Sequence, residues 1–358
     1  MQSRGLLVTE IEVPEAQLEV VARLEGVCRT RGLGGLAARL QALGELTRGD
    51  LSTVETALAE VRCESNMVGH SARHLLSLGG KRLRPLCVAL AARLGSGFGP
   101  AARQLAVAVE LVHSATLLHD DVVDLGDVRR GAPTARTVWG NAASVFAGDW
   151  LLLDALERVR AAGISGALER LLSVVQQMVA AEAVQLEARG RLCPDRRQYR
   201  AIAEGKTAAL FRWAMWAGGR AGGLDERACD ALDRFGLHLG VAFQAVDDLL
   251  DFAGDEAATG KALFADLREG KMTWPLIVAV EAEPALLRLL EATLADDAAP
   301  SLRADILAAL DRTAAITATR ELAAREAALA VECLDILPAT EARRSLETVA
   351  TATVERDR

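Results

Sequence analysis

From "STVETALAEVRCES" onward, apolar residues recur every three or four positions, and that rhythm persists through most of the chain. It is cut only by short segments rich in glycine or proline: "LGGKRLRP", "GSGFGP", "RRGAPT", "RGRLCPD", "AGGRAGG" and "FAGDEAATGK". A period of 3.6 residues calls for amphipathic helices, and the β-branched runs that strands need are short. Ala, Leu, Glu and Arg, all good helix formers, dominate, while aromatic residues make up 4%. No Gly/Ser linker or tandem repeat divides the 358 residues, and a hydrophobic fraction of 51% supports a large core. The expected fold is therefore all-α, a single-domain helical bundle of ten or more helices. Residues 1–50 contain shorter periodic pieces broken by "TRGLGG" and read as an N-terminal extension or a weak first helix, which assigns the bundle to 51–358.

A formal net charge of -8 with no long basic stripe argues against nucleic-acid binding. The six cysteines lie far apart with no C-x-x-C pair, so neither a zinc site nor a disulfide framework is expected, and a reducing cytoplasm is the expected location. The opening "MQSRGLLVTEIEVPEAQ" interrupts its apolar run with acids and a proline, and no uncharged stretch reaches spanning length. The chain is expected to be neither exported nor membrane-spanning.

Two acidic turns echo each other: "HDDVVDLGD" at 119–127 and "VDDLLDFAGD" at 246–255. Asp120 and Asp124 share a helix face, as do Asp247 and Asp251, with Asp121 and Asp248 beside them. Like charges at this spacing weaken a helix, and aspartate near a helix C-terminus opposes the macrodipole. Local structure gains nothing from such clusters. A solvated acidic face would explain one copy, whereas two copies point to hard oxygen ligands for Mg²⁺, which binds one or two carboxylates beside water and phosphate oxygens. If both turns face one cavity they supply six carboxylates. Basic residues alternate with these turns at breaks that read as glycine-marked helix ends: Lys81, Arg82 and Arg84, then Arg129 and Arg130, then Lys206 with Thr207, then Lys261 and Lys271. A diphosphate would be repelled by the acids unless divalent cations lay between them, while the basic set would bind a second anionic group directly.

The blocks "GGKRLRP", "HSATLLHDDVVDLGDVRRGAPT", "GKTAALF", "FQAVDDLLDFAGD" and "GKALFADLREGKMTWPL", in that order over about residues 60–285, resemble the trans-type isoprenyl diphosphate synthases, also called polyprenyl synthetases. The resemblance implies a bundle of the isoprenoid synthase type around a deep central cavity, usually as a homodimer. It implies that Asp120, Asp121, Asp124, Asp247, Asp248 and Asp251 are ligands for two or three Mg²⁺ ions, with Mn²⁺ as a substitute; Asp120, Asp124 and Asp247 are the strongest candidates. Lys206 and Lys261 join them as catalytic residues. Arg129, Lys206, Thr207, Gln244 and Lys261 match positions that hold the allylic diphosphate, and Lys81, Arg84, His113 and Arg130 match those that bind isopentenyl diphosphate.

The implied reaction is ionisation of an allylic diphosphate, attack on the cation by the double bond of isopentenyl diphosphate, and loss of a proton to the released diphosphate. Bulky aromatic residues stop elongation early in short-product relatives. Here Ala115 and Thr116 precede the first acidic turn, so a trans-polyprenyl product of more than four isoprene units is expected, with Val112, Leu111 or Phe146 as floor and peripheral membrane contact for product release. Trp274 departs from the smaller aliphatic residue of many relatives. The rival readings are a terpene cyclase, which needs only one diphosphate, and a non-catalytic partner subunit of a heteromeric synthase, which usually lacks one acidic turn.

Overall fold

The computed structural model describes residues 26, 34–253, 263–295 and 300–355. Among them, sixteen α-helices account for nearly all regular structure. In chain order they are α1 (Gly34–Ala59), α2 (Met67–Ser77), α3 (Leu83–Arg93), α4 (Pro100–Val123), α5 (Ala135–Trp139), α6 (Asn141–Ala162), α7 (Ala167–Ala188) and α8 (Arg196–Ile202). There follow α9 (Ala209–Ala221), α10 (Glu226–Ala253), α11 (Ala265–Arg268), α12 (Trp274–Ala282), α13 (Leu286–Ala295), α14 (Pro300–Arg312), α15 (Ala315–Cys333) and α16 (Glu341–Val354). Between α4 and α5 a two-residue turn joins β1 (Val128–Arg129) to an antiparallel β2 (Ala132–Pro133).

Helix boundaries follow local chemistry. Asn66 caps α2 by accepting from the backbone N–H of Gly69, Asp195 caps α8 at Arg197 and Gln198, and Pro100 opens α4 at its first position. The central helix α4 packs along α6, α3 and α9, and α10 lies along α9 and α15. Leu105, Leu111, Leu118, Leu151, Phe211, Trp213 and Phe235 are fully enclosed at their centre. Each buried Leu or Phe contributes about 1.5–3 kcal/mol of hydrophobic stabilisation, so this core carries the fold. A second cluster around Phe264, Leu276, Leu290 and Leu310 joins the C-terminal helices.

Helix α1 runs unbroken through residue 50, so that position lies inside an element. Its apolar stripe of Leu36, Leu40, Leu43, Leu51, Val54 and Leu58 is part of the main core. The break read in "AGGRAGG" falls at Gly222, after α9 has passed through Gly218 and Gly219. No helix among the described residues is long and apolar enough to cross a membrane.

Candidate active site

The first acidic turn ends α4. Asp120 is partly exposed, with Lys206 Nζ 3.8 Å from its carboxylate, and Lys206 also touches Glu182 of α7. Burial raises the Asp120 carboxyl above its ordinary value, and the nearby Glu182 and Asp124 add to this against the pull of Lys206. Asp124, the C-cap of α4, touches Arg189 and has Lys271 Nζ 3.5 Å away. Burial alone would raise it, but Lys271 and Arg189 more than offset that and hold its carboxyl below the usual range. Asp121 is buried and paired with Arg129, whose Nη2 and Nε donate at 2.7 and 2.9 Å.

The second acidic turn divides in the same way. Asp247 is partly exposed on α10 and close enough to Arg84 to favour its charged form. Asp248 is 1% exposed and accepts three hydrogen bonds: from Tyr199 Oη at 2.6 Å, Gln244 Nε2 at 2.8 Å and the Trp274 backbone N–H at 3.2 Å. Burial, and then the neighbouring Asp266, push its carboxyl up to about 7. Asp251, also buried, accepts from the backbone N–H of Ala265 at 2.9 Å at the start of α11. Of the six aspartates, Asp121, Asp248 and Asp251 are thus buried and committed to protein partners, while Asp120, Asp124 and Asp247 keep solvent access.

Between the two turns lies a six-residue π-helical segment, Ala203–Ala208, within the continuous helical run from α8 to α9. Lys206 and Thr207 therefore sit inside a helix, and the helix end read at Gly205 is not there. A Cβ at Gly205 would fall 2.7 Å from Ala181 Cβ, so the glycine serves close approach to α7. The wide π turn presents Lys206 to Asp120 while the Thr207 hydroxyl donates to Gln244 Oε1 at 2.7 Å. Since Gln244 in turn donates to Asp248, the two acidic turns are joined through this segment.

Toward the other end of the α4 face lies the basic group. His113 is two turns before Asp120; burial, then Arg84 and Arg130, hold its imidazole well below its ordinary value, so it is neutral at pH 7. Arg84 stacks its guanidinium over Phe211, 4.6 Å from the ring centre, and its buried Nε has no hydrogen-bond partner among the described residues. Lys81 is exposed beside it, and Arg130 is exposed at the tip of the β1–β2 turn. Ala115 is buried in the core of α4, and Thr116 is partly exposed with its hydroxyl donating to the His113 carbonyl at 2.8 Å. Val112 and Leu111 are enclosed, whereas Phe146 is 60% exposed on α6, which removes it from the floor of an internal cavity. Lys261 lies outside the described residues.

Among the described residues no three His, Cys, Asp or Glu side chains are placed to hold a metal by themselves. Mg²⁺ binds through one or two carboxylates and completes its octahedron with water and substrate phosphate. Asp120 and Asp124, one turn apart and countered by Lys206 and Lys271, fit this pattern. Sequence reasoning missed Glu182, Arg189, Tyr199 and Glu110. Glu182 on α7 and Arg189 at its C-cap are seven apart, a spacing that is legible only once that end of the helix is known to meet the acidic turn.

A family model described as polyprenyl synthetase matches residues 65–310. The chain is 34% identical over 321 residues to the octaprenyl diphosphate synthase of Escherichia coli (strain K12), covering 89% of this chain and 99% of that protein. It is 35% identical over 320 residues to heptaprenyl diphosphate synthase component 2 of Geobacillus stearothermophilus, with the same coverage. Its backbone matches a polyprenyl synthase from Caulobacter crescentus CB15, solved with calcium and isoprenyl diphosphate, at a TM-score of 0.84 and 35% identity, covering 89% of this chain and 98% of that one.

Proposed function

The chain belongs to the polyprenyl synthetase family, and from that premise we propose that it is a Mg²⁺-dependent trans-polyprenyl diphosphate synthase, joining an allylic diphosphate head to tail with isopentenyl diphosphate. The observation that carries this is the presence, along one face of α4, of two charge clusters of different make-up. One pairs open carboxylates with lysines and calls for a cation between protein and ligand. The other is a cluster of guanidinium groups around a neutral histidine and needs none.

Asp120, Asp124 and Asp247 would hold the divalent ions, two or three Mg²⁺ with Mn²⁺ as substitute, which when bound supply positive charge to the allylic diphosphate. Lys206 and Lys271 stand beside those carboxylates and neutralise the oxygens on which charge builds as the allylic C–O bond ionises. Thr207 and Gln244 orient that diphosphate, and Asp121, Asp248 and Asp251 fix the two turns through their buried partners. Lys81, Arg84, His113 and Arg130 bind isopentenyl diphosphate so that its double bond faces the cation. The proton lost after attack passes to the released diphosphate. The enclosed residues of α4 keep water from quenching the cation.

The names of the relatives, heptaprenyl and octaprenyl synthases, support a product longer than four isoprene units, as does the absence of an aromatic side chain at Ala115 and Thr116. A second copy of the chain is the proposed partner. Phe146, Trp150 and Leu153 on α6 and Leu172, Val179 and Leu186 on α7 form exposed apolar stripes suited to an isologous contact. A terpene cyclase would not need the guanidinium cluster, and a non-catalytic subunit would not need both acidic turns.

The test is direct. Purified protein receives labelled isopentenyl diphosphate, Mg²⁺ and allylic starters of several lengths, and the dephosphorylated products are sized. Label in chains of more than four units is expected; no consumption of isopentenyl diphosphate with any starter would refute the reading.

A further inference from the structure

Arg82 and Glu110, a charged pair beside the isopentenyl diphosphate site, have no task in the reaction as described. Arg82 stands between Lys81 and Arg84, yet it is 8% exposed and points into the protein from a left-handed backbone conformation (φ 46°) at the N-cap of α3. Side chains disfavour that conformation, so something must hold it. Its guanidinium donates from Nη1 to Glu110 at 2.7 Å and from Nε and Nη2 to Glu55 at 2.6 and 3.1 Å. Arg130 is strained in the same sense, with φ 53° in the β1–β2 turn, followed by Gly131 at φ 78°.

The two strained arginines converge. A Cβ at Gly80 would lie 3.0 Å from Arg82 Nη1 and 3.1 Å from Arg130 Nη2, so both guanidinium groups crowd the Gly80 backbone. Like charges this close repel, and Arg84 brings a third. Glu110, 2% exposed and one turn before His113 on α4, is the buried carboxylate that Arg82 bonds and whose charge also reaches Arg84 and Arg130. Burial would lower the guanidinium pKa of Arg82 and of Arg84, and Glu110 is the leading opposing influence on both.

We propose that Glu110 is a positioning residue for the isopentenyl diphosphate site, holding Arg82 in its left-handed turn and keeping Arg84 and Arg130 assembled before substrate arrives. The proposal rests on the assignment of this cluster to isopentenyl diphosphate. Glu110 does not touch substrate; it acts through the arginines. Its loss adds one positive charge to the site, which by charge alone would favour an anion, so the sign of the effect separates preorganisation from bulk electrostatics.

The experiment compares the full chain with Glu110→Gln, which keeps an oxygen acceptor for Arg82. KM for isopentenyl diphosphate should rise about tenfold, a loss of about 1.4 kcal/mol, with kcat and KM for the allylic starter held within about twofold. Gly80→Ala, which leaves α4 untouched and wedges a methyl group between the guanidinium groups, should reproduce the selective rise and covers the case in which Glu110→Gln fails to fold. Binding of inorganic diphosphate to metal-free protein should weaken in parallel in both variants. An unchanged or lower KM for isopentenyl diphosphate, or an equal rise in both KM values, would overturn the proposal. Wild-type protein that consumes no isopentenyl diphosphate would instead refute the underlying reading, with the inorganic diphosphate comparison still reporting on Glu110.

Discussion

Among the aspartates, chemically identical residues are separated by their surroundings. Asp120 faces Lys206 with solvent access, whereas Asp248 is enclosed and bound to Tyr199, the only tyrosine in the chain. Asp120→Asn should lower kcat about a thousandfold, or about 4 kcal/mol of transition-state stabilisation, while circular dichroism and melting stay near wild type. Tyr199→Phe should behave in the opposite way. It removes a donor from a buried carboxyl, so it should cost about 1–3 kcal/mol in urea unfolding and leave residual turnover. The spacing of the acidic turns made all six residues legible as a group. The resemblance already singled out Asp120, Asp124 and Asp247, but spacing alone could not say that these three stay open, because that depends on Tyr199, 49 positions from Asp248, and on Arg129 folding back across a hairpin. Glu182 was illegible for the same reason: one of three glutamates on a largely apolar helix carries no signal until Lys206 is placed against it.

At the scale of the element, α4 organises the chemistry. Glu110, His113, Thr116 and Asp120 recur at three- and four-residue spacing, so one helix face carries the carboxylate bonded to Arg82, the neutral imidazole, the proposed wall of the elongation path and the proposed metal ligand. Thr116 lies one turn deeper than Asp120 and remains partly exposed, so Thr116→Phe should shorten the product while sparing turnover of short starters. Chromatography of the dephosphorylated products checks this, and an unchanged length distribution would refute that view of the path. The helical rhythm made α4 and its spacing readable. Continuity proved harder to read, since α1 passes through Gly49 and α9 through Gly218, while the helical run around Gly205 absorbs a π turn; glycine ends a helix only where packing does not hold it.

Over the whole molecule, ion pairs between distant helices hold the bundle in register. Glu326 of α15 bonds His238 of α10 at 2.8 Å and Arg200 of α8. Burial alone would raise its carboxyl, but His238 and Arg200 more than offset this and hold it below its ordinary 4.5. A lowered carboxyl stabilises the fold above the unfolded value and loses that contribution as pH falls through the folded one. Glu326→Gln should therefore cost about 3 kcal/mol at pH 7, with the gap to wild type closing as pH drops below 4.5 in equilibrium unfolding. The apolar stripes of α6 and α7 carry a separate expectation: wild type should sediment as a dimer by analytical ultracentrifugation and Leu153→Glu with Val179→Glu as a monomer. The most direct test of the central claim, that the acidic turns grip the allylic diphosphate through divalent ions, is calorimetric binding of an uncleavable allylic thiolodiphosphate with and without Mg²⁺. Affinity should be at least about a hundredfold higher with the metal and should lose that gain in Asp120→Asn; equal binding by wild type in chelator and in Mg²⁺ would contradict the account.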